Sequence, residues 1–111
     1  MTTFTVALTR AVSDGFASCE LTHLARTPID VTRARAQHEA YEQALTALGC
    51  RVERLAATPD MPDSVFIEDT AIVVDEVAIV TRPGARSRRV ETAAVEQALT
   101  CLLYTSDAAD E

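Results

Sequence analysis

The sequence predicts a mixed α/β layer fold. Three patterns carry that reading: an alternating apolar stretch near the start, an apolar stripe at steps of three and four, and two β-branched runs separated by two acids. In "FTVALT", residues 4–9, Phe4, Val6 and Leu8 share one face, which is the period of a strand. A long loop follows from Arg10 to about Ile29, with Asp14–Gly15 as a turn-forming pair. Asp30 is placed to cap a helix that runs to about Leu48, and Gly49 to end it. The apolar stripe of that helix is Val31, Ala34, His38, Tyr41, Leu45 and Leu48.

"RVERL", 51–55, reads as a second strand, although Val52 and Leu55 do not alternate. "ATPDMPDS" is a proline-broken loop. "TAIVV" and "VAIVT" flank Asp75–Glu76 and predict a hairpin without the preferred Asn-Gly or Asp-Gly turn. "RPG", 82–84, ends that strand, and a second helix is expected from about Arg88, with Val90, Ala94, Val95, Ala98 and Leu99 facing inward. The resulting order is β-loop-α-β-β-β-α.

Composition narrows the function classes. The 111 residues are 48% hydrophobic and 24% charged, a globular balance within the size of one domain. Net charge is −7, with ten arginines, no lysine, and only "RSRR" at 86–89 as a basic run. Such a chain is poorly suited to nucleic acid, and a cationic small molecule fits it better. No secretory signal is read at the N-terminus, and the apolar runs are too short to span a membrane. Cys19, Cys50 and Cys101 are odd in number and widely spaced, so neither a disulfide scaffold nor a zinc site is expected. The expected compartment is cytoplasmic.

The last eleven residues, "CLLYTSDAADE", back-translate to a sequence similar to a transposon mosaic end and its sequencing adapter. Residues 101–111 are therefore expected to be a non-native tail. Leaving out Asp107, Asp110 and Glu111 moves the net charge from −7 to −4.

The chemistry-bearing residues cluster in "PDSVFIEDTAIV", 62–73, where Asp63, Glu68 and Asp69 border an apolar run. Alternation along a strand places Glu68 and Asp69 on opposite faces. These acids have three readings: solvated loop residues, a carboxylate pair holding a guanidinium, or ligands of Mg²⁺. Magnesium lacks the glycine-rich phosphate loop that accompanies it elsewhere. Arg88 and Arg89, at a helix start after "RPGARS", either grip a carboxylate or form a solvated surface. His38 reads as a hydrogen-bonded core histidine, His23 as a loop residue, and Cys19 has no helix terminus or basic neighbour in sequence to make it a nucleophile.

Together, "SDGFASCELTHL", "AQHEAY", "PDSVFIEDTAIV" and "TRPGARSRR" resemble the N-terminal part of the dimethylarginine dimethylaminohydrolase family. This family belongs to the guanidino-group-modifying, or pentein, superfamily. The resemblance covers nearly all of residues 4–99 and less than half of a family chain. It implies a five-bladed α/β propeller, of which residues 1–100 supply about one ββαβ unit and the start of the next. It also implies hydrolysis of N-methylated arginine to citrulline and an alkylamine through a cysteine-bound thiouronium intermediate. The catalytic cysteine and histidine are expected in a C-terminal half not contained here. No cofactor or metal is implied. Substrate-binding roles fall on the Phe16 main-chain carbonyl, Asp63 for the amino-acid end, Glu68, Asp69 for the guanidinium, and Arg88 for the substrate carboxylate. Arg86 and Val90 depart from the acidic residue and glycine common at those family positions. Alternative readings are another guanidine-modifying enzyme, a deiminase or amidinotransferase, and a non-catalytic amino-acid-binding or interaction module.

Overall fold

The computed structural model describes residues 5–19 and 28–110, with side chains through Leu102; Phe4 and His23 lie outside the described residues. The chain divides into two compact units, Met1–Val65 and Phe66–Glu111.

In the first unit, β1 (Val6–Arg10) and β2 (Arg51–Leu55) run parallel, in register from Val6↔Arg51 to Arg10↔Leu55. Parallel neighbours need a crossover, and α1 (Val31–Ala47) supplies it. Arg51 N donates to the Thr5 carbonyl at 2.9 Å and Ala11 N to that of Leu55 at 3.0 Å, extending the ladder at both ends.

Both ends of α1 are set by the residues expected there. Asp30 caps the start, its carboxylate accepting from Arg33 N at 3.1 Å. At the other end Gly49 takes φ +97°, Cys50 N donates to the Leu45 carbonyl, and Gly49 N to that of Thr46. These two bonds form a Schellman closure, which satisfies carbonyls that the helix leaves orphaned.

The inward face of α1 differs from the predicted stripe. Val31, Ala34, His38 and Leu45 are half-buried as expected, but Tyr41 is 57% and Leu48 82% exposed. The buried residue is Glu42, at 5% exposure. Its Oε2 accepts from Thr9 Oγ1 of β1 at 2.6 Å and from Arg54 Nε of β2 at 3.0 Å, while Arg54 Nη2 reaches Oε1. One carboxylate thus ties the helix to both strands, and that rotation leaves Tyr41 on the outer side. Leu48 is the C-cap, already turning away with the Schellman closure. His38 is not hydrogen-bonded as expected: its buried Nε2 lacks a partner among the described residues and lies 3.9 Å from Glu42 Oε2. Its ring stacks on Tyr41 at a centroid distance of 6.2 Å.

The second unit contains the predicted hairpin. β3 (Ala71–Val74) and β4 (Val77–Val80) pair antiparallel from Ala71↔Val80 to Val74↔Val77, leaving Asp75–Glu76 as the turn. Ile72, Val73, Val74, Val77 and Ile79 are exposed, so the hairpin presents apolar side chains on both faces. A 3-10 helix, Arg86–Glu91, leads into α2 (Thr92–Asp110). Val95 and Leu99 are buried and Ala94 and Ala98 half-buried, as predicted, but Val90 is 52% exposed. The inward row begins at Glu91, four residues before Val95, and Val90 falls beside it. Among the described residues no helix is long and apolar enough to cross a membrane.

Gly49→Ala is expected to destabilise the protein by about 1–2 kcal/mol, measured by chemical denaturation, because its Cβ must occupy the left-handed region. A Cβ there meets no atom within 4 Å, so the cost is conformational rather than steric.

Glu42 generates a pH dependence. Its hydrogen bonds from Arg54 hold the carboxyl below the ordinary value of 4.5, against burial and with help from Thr9. A depressed folded pKa gives stability that is complete above the ordinary value and lost as pH falls through the folded one. Thermal midpoints of the parent and Glu42→Gln should therefore differ by a constant amount above about pH 4.5 and converge below it.

Candidate substrate-binding site

The five predicted residues fall in both units, and each unit holds its own in a different way. In the first, Phe16 opens a one-turn 3-10 helix, Phe16–Ser18. Ser13 anchors this loop: its hydroxyl donates to the Thr58 carbonyl at 2.7 Å and accepts from Gly15 N at 3.0 Å. A Cβ on Gly15 would lie 2.3 Å from the Pro59 carbonyl oxygen, so only glycine allows the approach. The Phe16 carbonyl accepts from Cys19 N at 3.0 Å. Asp63, 4% exposed, sits in the turns after Met61, where Met61 N and Ser64 N donate to the Thr58 and Met61 carbonyls. The neighbouring Ser64 hydroxyl is buried and has no hydrogen-bond partner among the described residues.

In the second unit, Glu68 and Asp69 do not begin a strand. They lie on a one-turn 3-10 helix, Ile67–Asp69, and β3 starts only at Ala71. Thr70 closes that turn, its N and Oγ1 both donating to the Ile67 carbonyl at 3.0 and 2.6 Å. The alternation argument therefore does not apply, and both acids are exposed. Thr81 Oγ1 donates to the Asp69 carbonyl at 2.6 Å, fixing the backbone beneath the carboxylate.

Arg88 and Asp69 are brought together. Arg88 Nη1 donates to Asp69 Oδ2 at 2.7 Å, and Nη2 donates to the Phe66 carbonyl at 3.2 Å. Nε and Nη2 also form a fork on Glu91, at 3.1 and 2.9 Å. The 3-10 geometry explains the fork, since residues three apart eclipse in such a helix. Burial opposes the guanidinium's charge, but hydrogen bonds to Glu91 and Asp69 outweigh it and raise the pKa above the ordinary arginine value. Arg89 points elsewhere, with Nε donating to the Pro83 carbonyl at 3.0 Å.

Glu91, 1% exposed, is the residue that the sequence reading missed. The available signal was the Arg88–Glu91 spacing of three, the interval at which opposite charges meet on a helical surface. Two open clefts of the first unit, about 640 and 590 Å³, are lined by residues of α1, β2 and the turn between them and hold none of the predicted residues. Among the described residues no group of three or more His, Cys, Asp or Glu could hold a metal ion. Among the described residues Cys19, Cys50 and Cys101 form no disulfide.

No family model matches the chain. It is 45% identical over 93 residues to the N(G),N(G)-dimethylarginine dimethylaminohydrolase of Streptomyces coelicolor, covering 84% of this chain and 36% of that protein. Its fold superposes with a TM-score of 0.82 and 33% identity on a Pseudomonas aeruginosa dimethylarginine dimethylaminohydrolase, a cysteine-to-serine variant complexed with citrulline. That match covers 91% of this chain and 39% of the other. A histidine-to-glycine dimethylarginine dimethylaminohydrolase in adduct with S-methyl-L-thiocitrulline matches with a TM-score of 0.83 and 33% identity, over 90% of this chain and 39% of that one. The chain spans little more than a third of the length of these proteins. Similarity of sequence and of mixed α/β fold together place the chain in the dimethylarginine dimethylaminohydrolase family.

Proposed function

We propose that the chain is the N-terminal, substrate-binding part of a hydrolase that converts N-methylated arginine to citrulline and an alkylamine. The observation that carries this reading is the 45% identity over 93 residues to the Streptomyces coelicolor protein. Residues 1–100 would then supply about one ββαβ unit and the start of the next in a five-bladed propeller, and 101–111 the adapter-derived tail. The exposed apolar hairpin accords with a unit meant to be covered, since a two-stranded hairpin is marginal alone in water.

The chemistry needs a thiolate that attacks the guanidinium carbon, and a histidine that protonates the departing alkylamine. Water then adds to the S-linked thiouronium carbon, the C–S bond breaks, and citrulline leaves with the thiolate restored. Variants of one cysteine and one histidine, with citrulline and a thiocitrulline adduct, occur in the similar structures and support that pairing. No catalytic residue is assigned within this chain.

Recognition is the part assigned here. Asp69 serves the substrate guanidinium with Glu68 beside it, Asp63 serves the amino-acid end, the Phe16 carbonyl contacts the substrate, and Arg88 serves the carboxylate. Buried Asp63 and the anchored Phe16 loop are rigid enough to hold a small ligand in register.

The test uses the complete protein carrying this segment, with citrulline release from dimethylarginine as the readout. Asp69→Asn should lower kcat/KM by about tenfold or more, the loss of a charged hydrogen bond worth roughly 1.5–3 kcal/mol. Glu53→Gln, which removes only a surface pair with Arg51, should change little. Equal losses in the two variants would sink the assignment.

Arg88→Lys should also lower kcat/KM, by about tenfold, although the charge is kept. An ammonium cannot form the fork on Glu91 while reaching Asp69 and the Phe66 carbonyl. Unchanged kinetics would reduce Arg88 to a scaffold residue.

A further inference from the structure

We infer that Glu91 is a positioning residue for cation recognition: its buried carboxylate offsets and orients the Arg88 guanidinium, so that Asp69 keeps net negative charge for the guanidinium of a substrate. The inference deepens the proposed function and rests on it.

Arg88 poses a problem for any cation site built on Asp69. Its Nη1 lies 2.7 Å from Asp69 Oδ2, and that pair alone sums to zero charge. A substrate guanidinium would meet an Asp69 already neutralised by Arg88, with only the neighbouring Glu68 left to face it. Glu91 changes the balance, because Asp69, Arg88 and Glu91 together carry −1.

The placement of Glu91 fits this role better than a structural one. Position 91 heads the inward row continued by Val95 and Leu99, where an apolar side chain would bury at no electrostatic cost. Instead a carboxylate, 1% exposed, makes a two-point fork on Arg88. That fork fixes the guanidinium plane, and the Phe66 carbonyl holds its other edge. The Asp69 side chain, by contrast, is 53% exposed, so a ligand can reach it. Burial of Glu91 and exposure of Asp69 divide the work: one acid balances Arg88, the other faces outward.

Dimethylarginine and citrulline share their α-amino and carboxylate ends and differ in charge at the other. Their relative affinity therefore isolates the term that Glu91 sets. In the complete protein, the KM for dimethylarginine and the inhibition constant of citrulline are measured for the parent, Glu91→Gln, and the double variant Arg88→Gln with Glu91→Gln. Thermal unfolding serves as the folding control. In Glu91→Gln the preference for the cation over neutral citrulline should fall by about tenfold or more, the effect of one unit charge a few ångströms away. The double variant restores the cluster to −1. Both ligands should weaken there, with the preference back to within about threefold of the parent.

A purely structural Glu91 would weaken both ligands alike in the single variant and leave the double variant no better. Either of those results overturns the inference. If Glu91→Gln does not fold, the double variant decides alone: a retained preference supports the charge balance, and a tenfold fall overturns it. A parent protein that neither turns over dimethylarginine nor binds citrulline refutes the proposed function and this inference with it.

Discussion

A carboxylate withdrawn from water must keep an opposite charge or hydrogen-bond donors beside it, and each unit of this chain is organised around one that does. In the first unit Glu42 gathers Arg54 from β2 and Thr9 from β1 onto one face of α1. In the second, Glu91 holds Arg88 where the 3-10 helix passes into α2. Desolvation makes such pairs costly, so they add less stability than their geometry suggests. What they supply is register. Rotating α1 by one residue would bring Tyr41 inward and leave Arg54 without its carboxylate.

This explains which parts of the fold were legible in the sequence. Caps and turns are local, so Asp30, Gly49 and the Asp75–Glu76 turn could be read from a few residues each. The element order followed from them. The inward faces were less legible, because apolar periodicity counts only apolar residues. It placed Tyr41, Leu48 and Val90 inside, where the structure exposes all three, and it passed over Glu42 and Glu91. Those acids are buried by partners, and the partners of Glu42 lie 12 and 33 residues away in sequence. No local window contains that information.

The site was legible to a different degree. Motif resemblance singled out Phe16, Asp63, Glu68, Asp69 and Arg88, and Asp69 and Arg88 do meet in the second unit. The argument from strand alternation failed at Glu68 and Asp69 because Thr70 closes a 3-10 turn through the Ile67 carbonyl before β3 begins. A threonine hydroxyl competing for a backbone carbonyl is a common way for a strand to be delayed, and it leaves little trace in hydropathy. Glu91 escaped for a related reason. Apolar periodicity passes over an acid at the head of the inward row, although its spacing of three from Arg88 is one at which opposite charges meet on a helix.

Asp69 alone would carry the same net charge as the cluster of Asp69, Arg88 and Glu91, so the additional pair must contribute something other than charge. It contributes direction. Arg88 Nη1 holds Asp69 Oδ2 at 2.7 Å, the Thr81 hydroxyl holds the Asp69 carbonyl, and Glu91 keeps Arg88 from following a ligand. A half-exposed aspartate on a single turn would otherwise sample several rotamers, and ordering it on binding would oppose affinity. Under the proposed reading, a preoriented carboxylate with net −1 around it favours a guanidinium and loses its advantage over the uncharged ureido group of citrulline. The same arrangement that admits the substrate then weakens the hold on the product, because hydrolysis removes the charge the cluster is built to read.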